Sequence, residues 1–194
     1  MTALAISNVV LWVLVVALAA VVLALTRQLG VLHERIAPAG ALMLNRGLTV
    51  GEPAPLLEVT DLAGRAVTIG APRDDGRSTL LLFVSPTCPV CKTLLPAVLS
   101  SRKDERGWLD VLLASDGDLA QQRAFVRDQR LEAVPYIVSG ALGLAFQVGR
   151  LPFGALLDEH GIVRARGLVN SREHLESLFE AKRLGVASLQ EYFS

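Results

Sequence analysis

Cys88 and Cys91 are the residues of this chain whose type and spacing could carry out chemistry. They are the only two cysteines in 194 residues, and Pro89 and Val90 separate them. C-x-x-C pairs are typically redox-active, because the motif lowers the pKa of one of its thiols. The sequence therefore predicts two sulfur atoms that alternate between a disulfide and free thiols, with Pro89 and Val90 tuning the reduction potential.

The segments on either side of the pair predict how it is positioned. Residues 79–84 form an apolar run typical of a strand buried on both faces, and residues 92–101 predict a helix. Cys88 would occupy the N-cap, and Pro89 the first helical position, where a missing N–H has no cost. Unpaired N–H groups and the helix dipole favour a thiolate at that place, so the pKa of Cys88 should fall from about 8.5 into roughly the 3.5–7.5 range. We therefore predict that Cys88 attacks, or is attacked by, a cysteine of the substrate, and that Cys91 resolves the mixed disulfide.

Two other interpretations of the cysteine pair stay open at this point. Half of a zinc site is one of them, but structural zinc usually has four ligands. The chain has no further cysteine, and its three histidines (His33, His160 and His174) are scattered, so we expect no metal site. The second alternative is a purely structural disulfide, although C-x-x-C rings are more often redox-active than stabilising.

The composition of the chain excludes one class of partner and points to another. Its 19 basic and 19 acidic residues give a formal net charge of zero, which argues against a nucleic-acid partner. Hydrophobic residues make up 52% of the chain, and the excess is concentrated at the N-terminus. This distribution predicts a membrane-associated segment followed by an ordinary soluble domain.

Residues 1–27 predict an uncleaved transmembrane anchor. No charged residue occurs from position 2 to position 26, and residues 9–25 are an unbroken apolar run of 17 residues. Together with the apolar residues before it, this run can cross a hydrocarbon core of about 30 Å at about 1.5 Å per residue. A cleaved signal peptide is the alternative, but it would have a basic n-region and a shorter apolar run.

Two features predict opposite orientations for this anchor. Arg27, Arg35 and Arg46 follow the apolar run and no basic residue precedes it. By the positive-inside rule, that bias places the rest of the chain in the cytoplasm. Disulfide chemistry, in contrast, needs an oxidising compartment on the other side of the membrane.

Beyond the anchor, the sequence predicts a linker over residues 28–50, a domain over 51–185 and a tail over 186–194. The domain alternates strands and helices, which indicates an α/β fold with a central mixed sheet flanked by helices. The first two strands predict an extra N-terminal β-hairpin, and Asn170 with Glu173 predicts a capping box on the last helix. The predicted strands cover residues 56–60, 66–69, 79–84, 110–114, 134–138, the run after Pro152, and 162–167. The predicted helices cover 92–101, 119–130 and 170–182, and residues 140–148 are predicted as a short helix or a turn.

These motifs resemble the thioredoxin superfamily, and the hairpin and anchor resemble its membrane-tethered, TlpA-like members. The chain is similar in particular to the MauD family of methylamine utilization proteins, and the resemblance extends over nearly its whole length. The stretches that carry it are Cys-Pro-Val-Cys-Lys-Thr-Leu-Leu-Pro at 88–96, Leu-Ala-Ser-Asp-Gly at 113–117, Val-Gly-Arg-Leu-Pro at 148–152, and residues 167–177. No chemistry can be derived for the last of these stretches, although it is the most family-specific.

The resemblance implies a thioredoxin-like fold and a cis peptide bond before Pro152. The backbone of Leu151 would then be free to pair with an extended client strand. The implied client is the small subunit of methylamine dehydrogenase, which is rich in disulfides and carries a tryptophan-derived quinone. The implied location is the periplasmic face of the inner membrane, and we follow it over the arginine bias. No cofactor is expected other than the Cys88–Cys91 disulfide, and an unidentified electron-transfer partner would recharge it.

Two other functions are alternatives to that of a thiol–disulfide oxidoreductase. The first is a peroxiredoxin-like peroxide reductase, whose attacking cysteine usually lies in a P-x-x-x-T-x-x-C pattern. Here Thr87 directly precedes Cys88 and Pro86 lies two residues before it, so the pattern is not met. The second is a membrane-tethered chaperone that binds the same client without catalysis.

Overall fold

The computed structural model describes residues 6–8, 10–22 and 48–184. The chain divides into two compact units, Met1–Asn45 and Arg46–Ser194. In the first unit, residues 6–8 and 10–22 are helical (α1), and the large apolar side chains of this helix are exposed. Among the residues described, no helix combines the length and the apolar character needed to cross a membrane. The predicted tail, 186–194, and most of the predicted linker, 28–50, lie outside the described residues.

The second unit contains strands and helices in alternation. In chain order these are β1 (Leu57–Thr60), β2 (Ala66–Ile69), β3 (Ser78–Phe83), α2 (Pro89–Asp104), β4 (Leu109–Ser115), α3 (Leu119–Asp128), β5 (Tyr136–Val138), α4 (Gly140–Ala145), β6 (Phe153–Leu157), β7 (Val163–Leu168) and α5 (Arg172–Leu184). Each predicted strand and helix of the domain is present, and the bounds differ mainly at the helix ends.

A five-stranded mixed sheet forms the centre of the unit, with the strand order β5-β4-β3-β6-β7. Strand β3 is parallel to β4 and antiparallel to β6, while β4 is parallel to β5 and β6 is antiparallel to β7. Strands β1 and β2 pair in a separate two-stranded antiparallel sheet, which is the predicted N-terminal hairpin. The predicted α/β fold, with its central mixed sheet and extra hairpin, is confirmed.

Strand β3 is buried along its whole length because apolar layers cover both faces of the sheet. Leu80 and Leu82 belong to one buried cluster, which also contains side chains of α2, α3 and α5. Leu81 and Phe83 belong to the other cluster, which contains side chains of β2 and α4. The apolar run in the sequence thus reflects a strand whose successive side chains point alternately into two apolar cores.

The cap of α5 differs from the predicted one. The predicted pair was Asn170 and Glu173, but the helix begins at Arg172, and the hydroxyl of Ser171 accepts the backbone N–H of His174 at 3.4 Å. The Nδ1 atom of His174 in turn accepts the N–H of Asn170 at 3.3 Å. The capping interaction is therefore shifted by one residue, because serine at the N-cap satisfies the orphan N–H as well as asparagine does.

Asp158 organises the turn between β6 and β7, where the sequence Asp-Glu-His-Gly at 158–161 predicts a tight turn. Asp158 is 3% exposed, and its carboxylate accepts the N–H groups of His160 and Ile162, both at 2.9 Å, and the Nε–H of Arg164 at 2.6 Å. Burial by itself would raise the pKa of this carboxyl group. The two backbone N–H groups and the guanidinium outweigh burial, so the pKa of Asp158 is lowered from its ordinary value.

This lowered pKa predicts how the stability of the fold depends on pH. An unfolded aspartate titrates near about 3.9, so the contribution of Asp158 is fully present above that pH and is lost as the pH falls through the lower folded-state pKa. We expect Asp158→Asn to lower the free energy of unfolding near neutral pH by about 1–3 kcal/mol. The variant should also lose less stability than the wild type between about pH 5 and pH 2.

Urea unfolding at several pH values tests this prediction. The matched control is Asp74→Asn, because Asp74 is an exposed aspartate in the loop before β3. The control should leave the free energy of unfolding near neutral pH within about 0.5 kcal/mol of the wild type, because it is a surface substitution. Identical acid profiles for Asp158→Asn and the wild type would show that Asp158 makes no such contribution.

Candidate functional site

Cys88 lies at the N-cap of α2, the position predicted for it. Its backbone is extended, with φ −93° and ψ 109°, and Pro89 opens the helix. The Sγ atom of Cys88 accepts the backbone N–H of Cys91 at 3.1 Å. Cys88 and Cys91 form a disulfide with their Cα atoms 5.3 Å apart. The first turn of α2 therefore brings the two cysteines close enough to form the disulfide ring. It also directs the otherwise unpaired N–H of Cys91 at the sulfur of Cys88.

The two sulfur-bearing residues differ sharply in exposure. Cys91 is 0% exposed and belongs to the apolar cluster on the α2 face of the sheet, whereas Cys88 is only partly buried. Pro89 and Val90, which lie between them, are exposed, Val90 by 42%. A large partner can reach Cys88 but not Cys91, which is the asymmetry expected of an attacking and a resolving thiol.

The turn before the disulfide is held by Ser85, which sequence reasoning did not single out. The carbonyl of Ser85 accepts the N–H of Cys88 at 3.1 Å. Its hydroxyl accepts the N–H of Thr87 at 3.3 Å and lies 3.0 Å from the Thr87 hydroxyl. The sequence signal that could have identified Ser85 is its position three residues before an N-cap, since serine side chains commonly close such turns.

Leu151 and Pro152 lie at the same end of the sheet as the disulfide. Phe83, the last residue of β3, pairs with Phe153, the first residue of β6. The segment from β3 to Cys88 therefore begins at the same end of the sheet as the segment that leads from Pro152 into β6. The Leu151–Pro152 bond is cis, as predicted. Pro152 is buried and Leu151 is 36% exposed. The predicted roles of both residues in binding a client stay predictions.

The family-specific stretch at 167–177 meets this part of the site. The backbone N–H of Val169 donates to the carbonyl of Pro152 at 3.0 Å. Leu168, the neighbour of Val169, is paired with Phe153 and is 41% exposed. The stretch therefore supports the segment that contains Pro152, and this contact depends on strand pairing that the sequence alone does not reveal.

A buried polar network fixes the loop that follows β4. The side chain of Gln122, 1% exposed, donates from Nε2 to the carbonyl of Asp116 at 2.5 Å and accepts the hydroxyl of Tyr136 at 2.7 Å. Burial raises the pKa of Tyr136 to about 12, so the hydroxyl keeps the proton that it donates. This network holds the 115–118 loop at the end of the sheet where the disulfide lies.

Metal ligands are not clustered in the part of the chain that the structure describes. Within residues 6–8, 10–22 and 48–184, no group of three or more His, Cys, Asp or Glu side chains is placed to hold a metal ion. His160 and His174 are both exposed, and His33 lies outside the described residues.

Comparison with known proteins identifies the family of this chain. A profile of the Redoxin family matches residues 49–182. Over 188 residues, the chain is 46% identical to the methylamine utilization protein MauD of Paracoccus denitrificans, an alignment that covers 97% of this chain and 93% of that protein. It is 44% identical to the MauD protein of Methylorubrum extorquens, with 97% and 91% covered. The chain belongs to the MauD family. The predicted resemblance to MauD is confirmed, and the chain is a thioredoxin-like protein of methylamine utilization.

Solved structures agree with the fold of this MauD-family protein. The thioredoxin domain of a thiol-disulfide oxidoreductase from Bacteroides vulgatus superposes with a TM-score of 0.57 at 17% identity, covering 67% of this chain and 97% of that domain. The exposed lipoprotein thioredoxin Etrx1 of Streptococcus pneumoniae superposes with a TM-score of 0.56 at 20% identity, covering 65% and 99%. At these identities the likeness establishes the fold, and the roles of individual MauD-family residues rest on the geometry described above.

Proposed function

We propose that the chain is a membrane-tethered thiol–disulfide oxidoreductase that forms or rearranges disulfides in a client protein. The observation that carries this proposal is the Cys88–Cys91 disulfide at the N-cap of α2, with one sulfur-bearing residue accessible and the other buried. The helix N-terminus favours a thiolate at Cys88 in the reduced form. Burial keeps Cys91 out of reach of a client, so that it exchanges only with the sulfur of Cys88.

The proposed exchange proceeds through a mixed disulfide. In the oxidising direction, a client thiolate attacks Sγ of Cys88, the Cys88–Cys91 bond breaks, and Cys91 leaves with the electron pair and takes up a proton. A second client thiolate then attacks the client sulfur of the mixed disulfide and releases Cys88. The client gains one disulfide and the cysteine pair is reduced by two electrons. The reverse direction uses the same atoms, and the reduction potential sets which direction prevails.

We propose the small subunit of methylamine dehydrogenase as the client. Membership of a family of methylamine utilization proteins supports this assignment, because the relatives carry that description. Leu151, half-exposed and next to Pro152, would pair through its backbone with an extended segment of the client. An electron-transfer protein would return the cysteine pair to its starting state.

We further propose that residues 1–27 anchor the chain in the inner membrane with the redox domain in the periplasm. The uncharged N-terminal sequence supports the anchor, and the need of disulfide chemistry for an oxidising compartment supports the orientation. The position of Arg27, Arg35 and Arg46 favours the opposite orientation. A reporter enzyme that is active only in the periplasm, fused after Ser194, measures the orientation directly, and a silent reporter would overturn it.

Growth on methylamine tests the function. We expect the wild-type chain to restore growth to a bacterium that lacks its own MauD-family gene. The double variant Cys88→Ser with Cys91→Ser should not restore growth although it reaches the same level in the membrane, because no other cysteine can replace the pair. Full growth with the double variant would instead support a chaperone that binds the client without catalysis.

A further inference from the structure

A cleft of about 240 Å³ lies between the turn of the N-terminal hairpin and α3, and the proposed reaction does not use it. The hairpin is attached to the outer edge of β5: the N–H of Leu62 donates to the carbonyl of Tyr136 at 2.8 Å, and Asp61 forms an isolated antiparallel bridge with Ile137. Small-molecule sites usually have volumes of about 300–1,000 Å³, so this cleft accommodates a group the size of one side chain.

The bottom of the cleft is apolar. Val126, Val134 and Tyr136 line it as buried residues, and Leu62 lines it as a half-buried one. The hydroxyl of Tyr136 already donates to the side chain of Gln122 at 2.7 Å, so this polar atom is committed inside the fold. The cleft therefore offers apolar surface against which the methylene groups of a ligand can be buried.

One of the charged pairs in the lining is already matched. The carboxylate of Asp61, whose side chain is 1% exposed, has Oδ2 2.7 Å from both Nε and Nη2 of Arg65. Its Oδ1 accepts the backbone N–H groups of Ala63 and Arg65, both at 2.9 Å. Asp61 and Arg65 thus neutralise each other, and this pair leaves the other arginines of the cleft uncompensated.

Arg123 and Arg127 carry the uncompensated charge. They lie four residues apart in α3, so their side chains extend on the same side of the helix, and both are exposed. Within the part of the chain that the structure describes, neither guanidinium donates a hydrogen bond or forms an ion pair. Glu132, the remaining carboxylate of the lining, also has no ion pair among those residues. The rim therefore has one positive charge in excess, which suits a ligand with a single negative charge.

We propose that this cleft binds a carboxylate group carried on a short aliphatic chain, with Arg123 and Arg127 as its ligands. The planar fork of a guanidinium matches the two oxygens of a carboxylate, and the apolar bottom takes the methylene groups. The single excess charge favours a monoanion over a phosphate monoester, which carries about −1.5 to −2 charges at neutral pH. Free carboxylic acids and the acidic side chains of a partner protein share this chemistry. The lining contains neither cysteine, so a bound carboxylate leaves the disulfide free to react.

Thermal unfolding of the oxidised full-length chain in detergent tests the proposal at constant pH and ionic strength. Butyrate at about 50 mM is the free acid, and butyramide is its uncharged counterpart. The blocked tripeptide acetyl-Gly-Glu-Gly-amide presents the same group as a side chain, and acetyl-Gly-Gln-Gly-amide is its uncharged counterpart. A ligand that binds only the folded chain raises the midpoint of unfolding.

The variants Arg123→Gln and Arg127→Gln each remove one guanidinium from the cleft. The matched control is Arg106→Gln, because Arg106 is also exposed, does not line the cleft, and its guanidinium has no ion pair among the described residues. The control reports any effect that the anions have on the whole surface.

We expect the better of the two carboxylates to raise the midpoint of the wild type and of Arg106→Gln by about 3–5 °C over its uncharged counterpart. That is the shift produced by a ligand at about ten times its Kd. In Arg123→Gln and Arg127→Gln the shift should fall below about 1 °C. The larger of the butyrate and tripeptide shifts identifies the source of the carboxylate, a free acid or an acidic side chain. No shift with either carboxylate in the wild type, or an undiminished shift in the Arg123 and Arg127 variants, would overturn the site.

Discussion

Replacing Cys88 with serine is expected to reduce catalysed thiol–disulfide exchange to the uncatalysed rate. The reason is chemical: a hydroxyl cannot form the mixed disulfide, and the chain offers no third cysteine. Cys91 cannot substitute for Cys88, because its side chain is 0% exposed within an apolar cluster. The measurement is the initial rate at which the reduced protein opens a fluorescently quenched peptide disulfide, with glutathione as the reductant.

The variant Cys91→Ser separates attack from resolution and is the natural comparison. Cys88 still lies at the N-cap of α2 in this variant, so we expect it to attack once and stop at a long-lived mixed disulfide, visible as an added peptide mass. Cys88→Ser should form no adduct on the same timescale. If Cys88→Ser instead captured the peptide through Cys91, the assignment of attacking and resolving thiols would be reversed.

The sequence was sufficient to predict the fold and the place of the cysteine pair, because the signals for both are local. An apolar strand, a C-x-x-C motif and a helix with Pro89 at its start follow one another directly, and few structures satisfy that order. The apolar run at residues 80–84, most of which lies in β3, likewise predicted a strand covered on both faces. The family comparison and the structure confirm both conclusions.

What the sequence could not supply depends on residues that are far apart in the chain. Leu151 and Cys88 lie at the same end of the sheet only because β3 pairs with β6, whose first residue directly follows Pro152. The bond from Val169 to Pro152 similarly requires β6 and β7 to pair in the observed register. Without that register, the stretch at 167–177 was recognisable as a family signature and nothing more.

The misplaced cap of α5 shows a different limit. Asn170 and Ser171 are adjacent, and either side chain can accept an N–H at a helix start. In the structure, Ser171 rather than Asn170 accepts an N–H at the start of the helix. The local sequence offers no basis for choosing between two adjacent residues of nearly equal capping preference.

Gly161→Ala is expected to lower the free energy of unfolding by about 2–5 kcal/mol. Gly161 has φ +76°, which costs a residue with a side chain about 1–2 kcal/mol. In addition, an alanine Cβ would lie 2.2 Å from the carbonyl oxygen of Gly70. That carbonyl has little freedom to move, because Gly70 itself approaches the backbone of Pro55 closely and the N–H of Ala54 donates to the carbonyl of Gly161 at 2.8 Å.

Gly64→Ala isolates the cost of backbone conformation, because Gly64 has φ +82° and open space at its Cβ position. It should destabilise the protein by only about 1–2 kcal/mol. The difference between the two urea midpoints then measures the collision between the β6–β7 turn and the segment that follows β2. Equal midpoints would mean that the segment yields, and that the close approach at Gly161 contributes nothing beyond its dihedral angle. A larger loss in Gly161→Ala would show that this contact fixes the N-terminal hairpin region against the turn organised by Asp158.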